Sequence, residues 1–209
     1  MNNVFEKTCK HYLGQVRNMD LQSMSRKLGI QGDHGQAVIP LFGRPYRVSD
    51  RGIYGPSGEK PPFDACVILF KYLLLCPAHP REDKEWAAYR DFKDSGPLTA
   101  YFRNESEGAI SKYYRGRTGD LRKSGILMGG YPPEVDFGCD IALRFDMLPK
   151  VPVLMLFYDE DDEFSARCSI LYQKRAEDFL DAECLAIGGR LLFTSLKEQD
   201  TKRGTKEKR

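Results

Sequence analysis

The chain has 209 residues, of which 41% are hydrophobic and 30% charged, a composition typical of a soluble globular protein with an apolar core. Its formal net charge of +2 indicates no particular class of partner. The longest apolar stretch, residues 63–76, contains Lys71 and is too short to span a bilayer. The polar N-terminal residues lack the apolar segment of a signal peptide. We therefore expect a cytoplasmic protein without a membrane span.

The six cysteines are spread along the chain, and no two of them have C-x-x-C spacing. Zinc ribbons, iron–sulfur sites and redox motifs use that spacing because it presents two thiolates from one turn. We therefore expect free thiols in a reducing compartment and no cysteine-bound metal.

The N-terminal half combines helices with a hairpin. Apolar residues recur every three to four positions over residues 4–28, which predicts a helix that ends at Gly29. Two β-prone runs, residues 36–42 and 46–49, predict a β-hairpin. Residues 65–75 are apolar on nearly every side and predict a buried helix capped by Asp64.

The middle of the chain is less regular. Residues 82–95 fit either an amphipathic helix or a packed extended segment. Residues 98–123 predict a helix broken at Gly108 and Gly116, with a basic face that is matched by acidic residues. This balance of charge favours a solvated helix over a nucleic-acid surface.

The C-terminal half predicts a sheet. Residues 140–146 alternate in polarity, residues 151–158 are continuously apolar, and residues 164–172 alternate again, which together indicate an antiparallel meander. A last helix is expected over residues 182–196, where Gly188 and Gly189 should weaken it or let it pack closely against a neighbour.

These elements predict one α+β domain over residues 1–196, with a mostly antiparallel sheet packed by helices, an N-terminal helical region and a β-hairpin. Residues 197–209 contain six basic and three acidic residues, so we expect a flexible basic tail.

Five consecutive acidic residues, 159–163, form the turn between the second and third strands of the meander. Such a turn can be a solvated charge cluster at the edge of a sheet, a carboxylate–arginine network, or a site for Mg²⁺ or Ca²⁺ at Asp159, Asp161 and Glu163. The EF-hand loop is excluded because its glycine and terminal glutamate are missing. Glu163 precedes Phe164, which should begin the core face, so we expect Glu163 to lie against the sheet.

The polar positions of the meander place Arg144 on the first strand and Arg167 on the third. Arginines on a sheet face can bind an anionic ligand through bidentate contacts, or they can form ordinary surface ion pairs. The predicted ligand-binding residues are therefore Arg144, Asp161, Glu163 and Arg167.

No catalytic motif is visible in the sequence. His11, His34 and His79 are scattered, and neither a G-x-S-x-G nor an H-E-x-x-H pattern occurs. The glycines of residues 124–130 lack the Gly-Lys-Ser/Thr ending of a phosphate loop. The sequence decides neither whether the protein is an enzyme nor whether it uses a cofactor.

Residues 153–172 resemble the C-terminal signature of an uncharacterised prokaryotic family that is known only as a domain of unknown function. Asp161, Glu163, Phe164 and Ala166 match that signature, and residues 179–186 are similar to a second family motif. The resemblance implies occurrence in anaerobes. It also implies that some members carry a separate four-cysteine iron–sulfur domain, a cluster that this chain lacks. It implies no established activity.

The leading hypothesis is a ligand- or partner-binding module that works beside redox or cofactor proteins, with a small anionic ligand or a redox protein as partner. One alternative is an enzyme that uses Asp161 and Glu163 as metal ligands or as acid–base groups. The other is a purely structural domain.

Overall fold

Two four-stranded antiparallel sheets and a set of packed helices form this protein, whose computed structural model describes residues 2–33 and 35–206. The helices are α1 (Asn2–Val16), α2 (Leu21–Leu28), α3 (Phe63–Leu74), α4 (Thr99–Phe102), α5 (Gly108–Tyr114), α6 (Thr118–Leu127) and α7 (Ala182–Lys206). The strands are β1 (Gln31–Asp33), β2 (Gln36–Leu41), β3 (Arg44–Ser49), β4 (Gly52–Tyr54), β5 (Trp86–Ala88), β6 (Ile141–Leu148), β7 (Val151–Tyr158) and β8 (Arg167–Gln173). The predicted α+β class, with antiparallel sheets packed by helices, is confirmed.

The N-terminal region contains two helices instead of the single predicted one. The Asp20 carboxylate accepts hydrogen bonds from the backbone N–H groups of Gln22 and Ser23, at 3.1 and 3.0 Å, and so begins α2 as a separate helix. Gly29 ends α2 as predicted, with a left-handed φ of 67°.

The predicted hairpin is β2–β3, and β1 and β4 extend it to the sheet order β1-β2-β3-β4. Its turn reaches the second sheet, because the Phe42 N–H donates to the Met147 carbonyl at 2.9 Å. The hairpin is thus attached to the end of β6.

Helix α3 is buried along most of its length, as its apolar composition predicts. The prediction that Asp64 caps it is wrong: the cap position is Pro62, which makes no side-chain cap bond, and the Asp64 carboxylate binds Arg190 of α7 instead. An acid in the first turn still interacts favourably with the helix dipole.

The second sheet has the order β5-β8-β7-β6, and all its neighbours are antiparallel. Its inner face packs against α7, where the Tyr172 hydroxyl donates to the Leu185 carbonyl at 2.8 Å. Within residues 82–95, for which helix and extended segment were both open, Trp86–Ala88 forms the edge strand β5 and Tyr89–Asp91 a 3₁₀ turn.

Gly188 and Gly189 bring α7 close to its neighbours. Close packing is one of the two alternatives that these glycines predict, the other being a weakened helix. A Cβ at Gly188 would lie 2.6 Å from the Met147 sulfur, and one at Gly189 would lie 2.4 Å from Phe102 Cε2. The backbone of α7 therefore packs directly against the side chains of Met147 and Phe102.

Helix α7 continues to Lys206, ten residues beyond the predicted end at Leu196. Its last turns are held by Asp200, which is only 5% exposed and accepts from Arg117 at 2.7 Å and from Arg203 at 2.9 Å. Asp200 and Arg203 are among the charged residues that predict a flexible tail, and both belong to this ion-pair network. How flexible residues 197–209 are in solution stays a prediction. No helix in the described ranges is long and apolar enough to cross a membrane.

Candidate functional site

The face of the second sheet that points away from α7 carries most of the polar strand residues, and we call it the outer face. The strand register assigns to it Trp86 and Ala88 of β5, Ala142, Arg144 and Asp146 of β6, Pro152, Leu154, Leu156 and Tyr158 of β7, and Arg167, Ser169, Leu171 and Gln173 of β8. The two predicted arginines therefore share one face, as their alternation indicates.

Arg144 lies between two aromatic rings on this face. Its guanidinium carbon is 5.6 Å from the centre of the Tyr131 ring and 6.0 Å from the centre of the Trp86 ring. Tyr131 is adjacent because its backbone pairs with that of Arg144, with N···O distances of 3.0 and 2.8 Å. Each contact of this type contributes about 0.5–1 kcal/mol where it is exposed to solvent.

Trp86 reaches Arg144 across the width of the sheet. β5 and β6 are opposite edge strands, so about 14 Å separates their backbones at the usual spacing of strands. The two side chains must therefore extend over β8 and β7, and Leu154 between them is fully buried although it lies on the outer face. Sequence reasoning missed Trp86, because its strand is short and pairs with a segment more than 80 residues away.

Two polar atoms on this face are buried without a hydrogen-bond partner in the described part of the chain. One is Arg144 Nε, and the other is Oε1 of Gln173, the residue paired directly with Trp86. A buried polar atom without a partner destabilises the protein by about 1–3 kcal/mol.

Arg167 lies toward the end of the same face, with its guanidinium carbon 4.2 Å from the centre of the Tyr158 ring. Asp161 is close to it. Hydrogen bonds from the backbone N–H groups of Glu163 and Phe164 lower the pKa of Asp161, and the charge of Arg167 lowers it further. Arg167 is thus the predicted arginine whose charge acts on Asp161. Arg144 lies elsewhere on the face, near the middle of β6, between Trp86 and Tyr131.

The acidic turn is shaped by Asp161. Its Oδ1 accepts from the Glu163 N–H at 2.9 Å and from the Phe164 N–H at 2.7 Å. These bonds extend the connection, so that β8 begins at Arg167, three residues later than predicted. Phe164 is 67% exposed and Glu163 is also exposed. The prediction that Glu163 lies against the sheet is therefore wrong.

Asp159 is the acid of this turn whose carboxylate accepts a backbone hydrogen bond from another part of the fold. Its carboxylate accepts from the Gly116 N–H at 2.8 Å, and its own N–H donates to Asp140 at 2.7 Å. Arg115 forms an ion pair with Glu160 at 3.3 Å. The turn is thus attached to the loop between α5 and α6, a contact for which the sequence of the turn contains no signal.

A small cavity of about 160 Å³ continues the outer face at the point where β5 ends. Ser169 and Leu171 line it from the sheet, and Arg90, Arg103 and Glu107 line it from the helical side. The cavity brings further positive charge next to the outer face.

Glu107 completes the edge of β8 at this cavity. Its Oε1 accepts from the Ile170 N–H at 3.0 Å, in the place where a neighbouring strand would otherwise bond, and burial raises the pKa of its carboxyl group. Glu107 belongs to a π-helical segment, Arg103–Glu107, of a kind that is frequent at functional sites. A Cβ at Gly108 would lie 2.9 Å from the Arg103 carbonyl oxygen, so glycine permits this wider turn. The sequence indicated only a helix break there.

Within residues 2–33 and 35–206, no group of three His, Cys, Asp or Glu side chains is arranged to hold a metal ion. His34 lies outside the described residues.

A family model described as a domain of unknown function, DUF3786, matches residues 20–195 of the chain. No curated protein and no solved structure matches the chain.

Proposed function

Since the chain belongs to the DUF3786 family, whose description names no activity, we propose its function from the outer face: a non-catalytic module that binds a small anionic ligand at Arg144. The proposed ligand combines a planar ring with a carboxylate or a phosphate. We further propose that the protein is cytoplasmic, as its sequence predicts, and the family resemblance supports a role beside redox or cofactor proteins in the metabolism of anaerobes.

The observation that carries this proposal is the position of Arg144. Its guanidinium is half-buried between Trp86 and Tyr131, and its Nε has no hydrogen-bond partner among the described residues. Arginine suits this role because its planar group can make two parallel hydrogen bonds to a carboxylate or phosphate. An anion bound to this guanidinium would gain charge-assisted hydrogen bonds, which are stronger than those between neutral groups.

The two rings favour a ligand with a flat apolar part. Tyr131 is 38% exposed and Trp86 is half-buried, so each retains surface on which a planar group can stack. Arg167, which is stacked on Tyr158, adds a second cation to the same face. This combination of arginine and aromatic surface supports a planar anion over an aliphatic one.

Trp86 is the only tryptophan of the chain, so its fluorescence reports on this site directly. We expect flavin mononucleotide or adenosine monophosphate to change the Trp86 emission in a saturable titration and to raise the melting temperature. Arg144→Gln should weaken binding about 10- to 100-fold, since a hydrogen bond to a charged group contributes about 1.5–3 kcal/mol.

Lys123→Gln is the matched control, because Lys123 is an exposed residue of α6 and its replacement removes the same charge. It should bind as the unmodified protein does. Equal losses in Arg144→Gln and Lys123→Gln would show a nonspecific charge effect and overturn the proposal. The absence of saturable binding of both nucleotides would also overturn the proposed ligand class.

A further inference from the structure

A second cavity, of about 440 Å³, lies between α1, β4 and α3. None of these elements belongs to the second sheet. Its walls are apolar and include Leu13, Ile53 and Phe70. Leu13 and Phe70 come from the two helices and Ile53 from the strand. The volume is within the range of about 300–1,000 Å³ that is typical of small-molecule sites.

Positive charge surrounds this cavity. Lys10, Arg51 and Lys60 line it with exposed side chains, and Glu6 is the acidic residue of its lining. None of the three basic side chains forms an ion pair with another described residue. The cavity therefore combines an apolar interior with a net positive rim.

Two cysteines complete the wall, and their chemistry favours packing over reactivity. The Cys9 and Cys66 thiols influence each other's pKa, and Cys66 Sγ lies 3.8 Å from the Pro61 carbonyl oxygen. Burial raises the pKa of both thiols, to about 12 for Cys66. Since the thiolate is the form that attacks electrophiles and binds metals, these groups serve at neutral pH as apolar surface.

We infer that this cavity binds a medium-chain fatty acid, with its carboxylate at Lys10, Arg51 and Lys60 and its hydrocarbon chain against Leu13 and Phe70. The apolar walls match the chain of such a ligand, and the three basic side chains match its single negative charge. A neutral or cationic amphiphile of the same length would lose the second of these interactions. The fatty-acid site is separate from the planar-anion site at Arg144.

Calorimetric titration of the full chain with decanoate, below its micelle concentration, tests the inference. We expect saturable binding of decanoate and clearly weaker binding of decanol and decylammonium, which share its chain. Arg51→Gln and Lys60→Gln should each weaken binding about 2- to 5-fold, since exposed ion pairs contribute about 0.2–1 kcal/mol. The double variant should lose about tenfold.

Two controls separate this site from other surfaces. Lys112→Gln removes an exposed charge of α5 and should bind decanoate unchanged, as should Arg144→Gln at the outer face. The inference is overturned if decylammonium binds as tightly as decanoate, if the double variant binds normally, or if Arg144→Gln abolishes binding.

Alkylation of Cys9 locates the ligand independently of affinity. Cys9 is partly exposed at the cavity, whereas the partly exposed Cys139 lies next to β6. At mildly alkaline pH, where part of the thiol ionises, and with decanoate at five times its Kd, iodoacetamide should modify Cys9 about sixfold more slowly, in proportion to the unoccupied fraction, and Cys139 at its original rate. An unchanged Cys9 rate under these conditions would place the ligand elsewhere and refute the site.

Discussion

The close approach of α7 to the π segment depends on Gly189 having no side chain. A Cβ at this position would lie 2.4 Å from Phe102 Cε2 and 2.9 Å from Ser106 Oγ, both shorter than contacts that real Cβ atoms make. Phe102 cannot easily retreat, because it is buried and its ring stacks on Tyr89 at a centroid distance of 4.3 Å. We therefore predict that Gly189→Ala destabilises the protein.

The size of the effect follows from two opposing contributions. Alanine is favoured over glycine inside a helix by about 1 kcal/mol, whereas overpacking a filled core costs about 1–3 kcal/mol. The net loss for Gly189→Ala is then about 0–2 kcal/mol. Gly204 of the same helix has no atom within 4 Å of its Cβ position, so Gly204→Ala should stabilise by up to about 1 kcal/mol. The difference between the two variants, about 1–3 kcal/mol, isolates the packing contribution.

Urea unfolding followed by the fluorescence of Trp86 measures both free energies of unfolding. A difference of 1 kcal/mol corresponds to about 2–4 °C in melting temperature for a chain of this length. Phe102→Leu should recover part of the loss when it is combined with Gly189→Ala, because it removes the clashing ring edge. The packing argument is refuted if Gly189→Ala is as stabilising as Gly204→Ala.

Three further predictions concern carboxylates. Asp200→Ala should lower the free energy of unfolding by about 2 kcal/mol. Burial acts to raise the pKa of Asp200 but hydrogen bonds hold it below its ordinary value. Its contribution should therefore persist at neutral pH and disappear as the pH falls below about 4, in urea unfolding at several pH values. Because burial raises the pKa of Glu107, its ionised form should weaken stability as the pH rises above about 4. Glu107→Gln, which still accepts from Ile170, should flatten that dependence in the same assay, whereas Glu107→Ala should lose about 1–3 kcal/mol. Asp161→Ala should lower the melting temperature more than Glu163→Gln, since of these two described side chains only that of Asp161 accepts backbone hydrogen bonds. A stabilisation by Mg²⁺ that Glu163→Gln abolishes would instead favour the enzyme hypothesis.

The family of the chain does not depend on which ligand it binds. The chain belongs to the DUF3786 family through residues 20–195, and no outcome above alters that. The tests of the ligand at Arg144 and of the fatty acid at the second cavity use different probes, and different variants are expected to weaken binding in each. Failure of one therefore leaves the other intact.

Local sequence determined the elements whose pattern is complete within one segment. The apolar run of residues 151–158 coincides with β7, and the alternation of residues 140–146 locates β6 and puts Arg144 on the outer face. Gly29 ends α2 because a left-handed residue is needed there. In each case, side-chain period or backbone conformation is a property of neighbouring residues, so it can be read without knowing the fold.

Only the tertiary structure decided which side chains meet. Trp86 reaches Arg144 because β5 pairs with β8, Asp159 bonds to Gly116 because two loops adjoin, and α7 continues past Leu196 because Arg117 is there to bind Asp200. These partners are separated by more than 40 residues, and many alternative pairings have the same local pattern. Packing of the whole chain selects among them, since a buried charge or hydrogen-bonding group is stable only where the fold brings it a partner.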